Sequence, residues 1–279
     1  MLSSLSNLTM AKSPKLFLST LFFLLMSTCL CGQEKIKDKQ AYLDFAFRNF
    51  PQTTKEFRTY LESAIKVYPD DAELWREVAT SHFKAGEYAP AIKYINKAVE
   101  LDPKNWLGYR AFMKCIFMKD YANAIQDFKQ ALALKNGYYE MDHTYHFYIA
   151  ISYLKINQLD SADRYMAHSL KLQMPDGKGS GHHLDWLYWG LIKHQQKDYD
   201  KAIEYYDKSL GLFSQFPDPM YYKALIMKGK KKHKEANELL EKAAETLKQG
   251  YKINEDNEAY VNYPFQITLH EVQGALKAR

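Results

Sequence analysis

Four histidines fall in two short stretches, His143 and His146 in "MDHTYHF" and His182 and His183 in "GSGHHLD". Imidazole is the commonest protein ligand for zinc or copper, so the chemistry these stretches offer is metal binding. Read as a helix, the first stretch sets its histidines three residues apart on one face, and the second opens the next helical unit, stacked beside it. Neither carries a carboxylate in a metal-site spacing such as H-E-x-x-H, and His146 falls on a packing position. The expectation is therefore structural or solvated histidines, with no metal and no cofactor. "DGKGSG", Asp176 to Gly181, has the look of a phosphate loop but lacks the G-x-x-x-x-G-K-[ST] spacing and a preceding strand, so it reads as a flexible connection. No nucleophile with its base and no paired carboxylates stand at a recognisable spacing, and no enzyme is expected.

The elements that must position any site are repeated ones. "EYAPAIKYINKAVEL", "DYANAIQDFKQALAL" and "DYDKAIEYYDKSLGL" align with Ala91, Ala124 and Ala202 in register, each three residues after Tyr88, Tyr121 or Tyr199. Weaker copies place Ala162 and Ala236 there, and the successive steps are 33, 38, 40 and 34 residues. Self-similarity at such periods marks units that bury their apolar faces only by stacking. Upstream of the first phrase, Trp75, Val78, Ala79 and His82 form one helical stripe; Gly86 breaks that helix, and Asp102-Pro103 ends the next one.

Trp75, Ala79, Gly86, Tyr88, Ala91, Ala98 and Pro103 resemble the 34-residue tetratricopeptide repeat (TPR) pattern. The resemblance implies an all-α, right-handed superhelix of helix-turn-helix repeats. It divides the chain into a degenerate first unit (33–70), a solenoid of about five repeats (71–250) and a C-terminal extension (251–279). In the other copies Met113 replaces the small residue of the first helix, and Gly190, Ser169 and Ser209 stand at small-residue positions. "TLHE", Thr268 to Glu271, is a capping-box signature for a short final helix. Tyr260, Tyr263, Phe265 and Val272 are suited to cover the open end of the last repeat, although Leu184, Leu187 and Leu191 would also serve to hold this extension within the groove.

TPR proteins bind partner segments on the concave face lined by the first helix of each pair. Carried over position by position, that face holds Arg76, Phe83 and Lys84, then Arg110, Lys114 and Phe117, and further on Phe147, Leu154 and Lys155, Leu187 and Leu191, and Asp218, Tyr221 and Lys228. Basic forks beside aromatic faces suit an extended acidic and apolar segment. The asparagines of the carboxylate-clamp type are missing, so a chaperone's terminal carboxylate is not the implied ligand.

Residues 1–32 differ in kind from the rest: Lys12 and Lys15 precede "LFLSTLFFLLMSTCLCG", which has no charge. This is the layout of a secretory signal, expected to be cut after Gly32 to leave Gln33, with lipidation of Cys29 as the alternative and Met10 as a second possible start. A mature chain would then keep Cys115 alone, which excludes an internal disulfide. It would carry 36 basic against 33 acidic residues, a net +3 that argues against a nucleic-acid partner. The expected function is an exported interaction scaffold in the periplasm or outside the cell that binds a protein or peptide segment, reaching a membrane only through an uncut signal or a lipid. The alternative is a small-ligand or glycan binder of an envelope uptake or wall-processing complex.

Overall fold

The repeated alanines are the points where helices touch. In the computed structural model, which describes residues 38–134 and 139–278, Ala64, Ala79, Ala91, Ala98, Ala124, Ala150, Ala162, Ala202, Ala224, Ala236 and Ala243 are completely buried. Side chains this small let paired helices approach closely, and the larger residues fill the spaces between them. Gly190 shows how close: a Cβ there would lie 2.4 Å from the ring of buried Tyr206.

Thirteen α-helices are described, and they pair in chain order. α1 (Lys39–Asn49) and α2 (Lys55–Val67) precede α3 (Ala72–Lys84) and α4 (Tyr88–Leu101). Next come α5 (Pro103–Ile116) with α6 (Tyr121–Leu134), and α7 (Tyr145–Lys155) with α8 (Leu159–Gln173). α9 (His183–Gln195) pairs with α10 (Tyr199–Leu212), α11 (Pro217–Gly229) with α12 (His233–Lys248), and α13 (Leu269–Lys277) closes the chain. From α3 onward packing is tightest within each pair, each second helix packs on the next first helix, and the first helices α5, α7, α9 and α11 also meet one another. The result is an α-solenoid.

Local chemistry sets the boundaries. Asp71 caps α3 by accepting from the backbone N–H groups of Glu73 and Leu74, and Asp102 closes α4 while capping α5, where Pro103 takes the first position. From the α3–α4 pair onward, the turn inside each pair holds a left-handed residue five before the aligned alanine: Gly86, then Lys119, Asn157, Lys197 and Lys231. Only the first of these is a glycine. The others accept a conformation costing roughly 1 kcal/mol because it lets the two helices of a pair fold back on each other.

Two expectations need correction. His143 is not helical: Tyr139–Glu140 (β1) and His143–Thr144 (β2) form a two-stranded antiparallel hairpin, and Thr144 caps α7. His143 and His146 therefore share no helix face. The extension after Gly250 is also more than a cap. α13 does begin with the capping box of Thr268 and Glu271, and Val272 and Ile267 cover Ala243 and Leu240 in the terminal cluster. Residues 251–267, however, enter the concave face.

Candidate functional site

The concave face is built from the first helices of the pairs, and the chain's own extension lies along it. After Gly250, whose φ of +91° allows the reversal, Ile253 and Tyr263 become buried in the central core. Glu255 reaches His143 (Nε2 to Oε1, 3.1 Å). A short 3₁₀ turn, Asp256–Ala259, then brings Tyr260 to the end of α3, where Lys84 Nζ sits 4.9 Å from its ring centre. From there the segment turns back: Lys119 donates to the carbonyl of Asn262, Tyr188 Oη to that of Pro264 (2.7 Å), and Tyr222 Oη to that of Phe265 (2.6 Å). Asp218 accepts from the backbone N–H of Ile267 (3.0 Å), after which α13 begins.

The loop thus runs out to α3 and returns to α11. Gln266 braces its two legs by donating to Glu258 (2.9 Å) and accepting from the Tyr263 N–H (2.8 Å). Phe265 takes a left-handed φ of 62°, held by its carbonyl's bond to Tyr222 and by Lys155, whose ammonium is 4.4 Å from the ring centre. Burial pushes the Lys119 ammonium down to about 8 and the Asp218 carboxyl up to about 7.

The expected groove residues divide into four groups. Phe83, Phe117, Phe147, Leu154, Leu187 and Leu191 are all buried in the same core as Ile253 and Tyr263, so they lie beneath the extension rather than open to solvent. Lys84, Lys155, Asp218 and Lys228 do touch a polypeptide segment, and that segment is the chain's own. Tyr221, half-buried, packs in the terminal cluster that contains Val272.

The remaining basic residues are engaged within the solenoid. Arg76 pairs with Glu77 (2.5 Å) and lies over Trp106. Arg110 makes a two-pronged bond to Asp127 (2.8 and 2.9 Å) and a third bond to Asn96, while Lys114 reaches the same carboxylate at 2.7 Å. Asn96 and Asp127 belong to second helices, so Arg110 and Lys114 do not form a free basic fork in the groove. They serve instead to neutralise a buried carboxylate. Asp127→Ala leaves two largely buried cations without it and is expected to cost about 3 kcal/mol by chemical denaturation, tempered by the cations' partial access to water.

Sequence reasoning missed Tyr188, Tyr222 and Lys119. The two tyrosines each sit one position beyond an expected groove residue, Leu187 and Tyr221, and no motif marks them. Cys115 is buried beside Ser152, and burial pushes its thiol up to about 12, so it packs as a small hydrophobe. On the opposite side, Lys129, His146, Tyr153, Arg164, Tyr165 and His168 line an open cleft of about 430 Å³, where His146 and His168 stack on each other. The expected cleavage and lipidation residues, Cys29, Gly32 and Gln33, lie outside the described residues. Among the described residues no helix is long and apolar enough to cross a membrane.

Stacked helix pairs with small residues at most of their crossings define an α-solenoid of the kind that presents a concave binding face. Models described as tetratricopeptide repeat match residues 72–105, 115–138 and 190–216, so these stretches carry repeats of that type. A "Protein SGT1 homolog" of Oryza sativa subsp. japonica is 34% identical over 100 residues, 36% of this chain and 25% of that protein; the match thus spans about a quarter of the relative's length. Among solved structures, PilW, described as a widely conserved type IV pilus biogenesis factor, aligns at a TM-score of 0.59 and 17% identity over 83% of this chain and 94% of its own. The APC/C hetero-tetramer Cut9-Hcn1 gives 0.62 and 15% over 95% of this chain, which spans about half (46%) of the matched one. MamA from Desulfovibrio magneticus RS-1 gives 0.53 and 18% over 64% and 96%. At these identities the likeness is one of fold.

Proposed function

We propose that this chain is an interaction scaffold of the cell envelope that holds extended polypeptide segments on its concave face, with residues 251–267 as an intramolecular occupant. One observation carries the reading: the face grips its occupant largely by the backbone. Lys119, Tyr188 and Tyr222 donate to three carbonyls within a four-residue run, and Asp218 accepts from an N–H two residues later. Backbone grips of this kind accept many sequences, while buried pockets for alternate side chains, here those of Ile253 and Tyr263, select among them. The envelope location is supported by the residue pattern of 10–32.

The reading is tested by inserting a protease site between Gly250 and Tyr251 and cutting it after folding. The freed 251–279 segment is expected to stay bound and to exchange with an excess of fluorescent synthetic peptide of the same sequence. Tyr188→Phe with Tyr222→Phe removes two hydrogen bonds worth about 0.5–1.5 kcal/mol each and is expected to weaken that binding roughly tenfold or more. If the cut segment separates on gel filtration and the peptide does not rebind, the concave face is not a peptide-binding surface.

A further inference from the structure

The fold brings together residues that the sequence keeps far apart. His143 comes from the β-hairpin before α7, His182 from the glycine-rich connection before α9, and Glu255 from the segment lying in the groove. One ligand-capable atom from each lies within 4.8 Å of the others. We propose that these three residues form a binding site for a zinc-class divalent ion that ties the C-terminal segment to the solenoid. This goes beyond the groove reading and does not depend on it.

Donor chemistry and geometry both fit. Two imidazoles and a carboxylate are a borderline N, N, O set suited to Zn²⁺, and a tetrahedral ion with bonds of about 2.0–2.1 Å sets its ligands roughly 3.3 Å apart. His143 Nε2 and Glu255 Oε1 already stand at 3.1 Å. His182 must close the remaining gap; it follows a connection in which Gly177, Gly179 and Gly181 all have positive φ. His182 Nδ1 accepts from the Leu184 N–H at 3.3 Å, a long capping bond that coordination through either ring nitrogen gives up, because Nδ1 then carries the metal or a proton.

A second observation is independent of the cluster's spacing. His143 is fully buried; among the described residues its Nδ1 has no hydrogen-bond partner, and its Nε2 meets Glu255. Coordination would run through Nε2, with Nδ1 kept as the buried N–H, and the ring is already turned to the carboxylate. Phe147 stacks on it at 4.1 Å and Tyr148 meets it edge-on, fixing its orientation as a ligand shell requires.

The test uses the full chain, stripped with chelator. Titration calorimetry with Zn²⁺ is expected to give one ion per chain, and Co²⁺ to give the visible absorption of a tetrahedral site. His182→Gln and Glu255→Gln are each expected to weaken Zn²⁺ binding about tenfold to a hundredfold and to abolish the Co²⁺ bands. His168→Gln, in the stacked pair on the opposite side, should change neither. Zn²⁺ should also slow amide exchange across 251–267 in the wild type and not in Glu255→Gln. His182 is partly exposed, so its variant carries the test should the Glu255 variant fold poorly. No binding to the wild type, or binding undiminished in His182→Gln, overturns the proposal and leaves the groove reading standing.

Discussion

Deleting residues 251–279 is expected to lower the melting temperature by about 10 °C or more and to make the remaining solenoid prone to association. The segment buries Ile253, Tyr263, Ile267 and Val272 almost completely, each worth roughly 1.5–3 kcal/mol of apolar transfer. The entropy of ordering the segment opposes that gain, and the bonds from Tyr188, Tyr222 and Asp218 add to it. A net loss of about 4 kcal/mol is the reasonable scale, and a domain of this size shifts by about 2–4 °C per kcal/mol.

The deletion also leaves Phe147, Leu187 and Leu191 facing an emptied channel, an apolar surface of the kind that drives association. A shorter deletion, residues 269–279, separates the two roles of the extension. It uncovers Leu240 and Ala243 at the solenoid's end but spares the groove, and should cost about half as much. Scanning calorimetry of both truncations checks the ranking. Equal melting temperatures for the full chain and the longer deletion would mean that the segment contributes neither cap nor core.

That division explains what could be read in advance. The repeats were legible because a stacked unit needs a small residue at each crossing, and Ala79, Ala91, Ala98 and their counterparts recur at near-constant steps. "TLHE" was legible because a capping box is a local bargain between Thr268 and Glu271, three residues apart. The path of residues 251–267 depends on pairs such as His143 with Glu255, 112 residues apart, or Tyr188 with Pro264, 76 apart, and no local spacing encodes them.

The same reason undoes the expected basic groove. Position in the repeat put Arg110 and Lys114 on the first helix's inner side, but Asp127, buried seventeen residues beyond Arg110, draws both toward the second helices. Position did place Lys84, Lys155 and Asp218 against an extended segment. It could not say that the segment would be the chain's own.

Asp218 gives that contact a pH dependence. The carboxyl is fully buried; Oδ1 accepts from the Ile267 N–H, while Oδ2 has no partner. Burial is the largest influence on it, opposed by the backbone N–H and reinforced by the acidic neighbours Glu271 and Glu258, and the outcome is a value of about 7 against 3.8 for a free aspartate. A folded-state value above the unfolded one means that between these limits the native chain holds a proton that the unfolded chain has lost. The stability from Asp218 is therefore complete below about pH 4 and is lost as pH rises toward and through 7.

Three pH units correspond to a swing on the order of 4 kcal/mol. Asp218→Asn keeps a carbonyl oxygen for Ile267 and removes the titration. The variant should gain on the wild type steadily between pH 4 and 7, then hold a constant lead above it. Urea unfolding of both proteins across that range reads the difference directly, with changes in other groups cancelling between them. A parallel pair of curves would mean that Asp218 is ionised in the fold throughout. The steepest loss is expected where the segment leaves the groove for α13, so amide exchange at Ile267 should accelerate first as the pH rises, ahead of the solenoid's own helices.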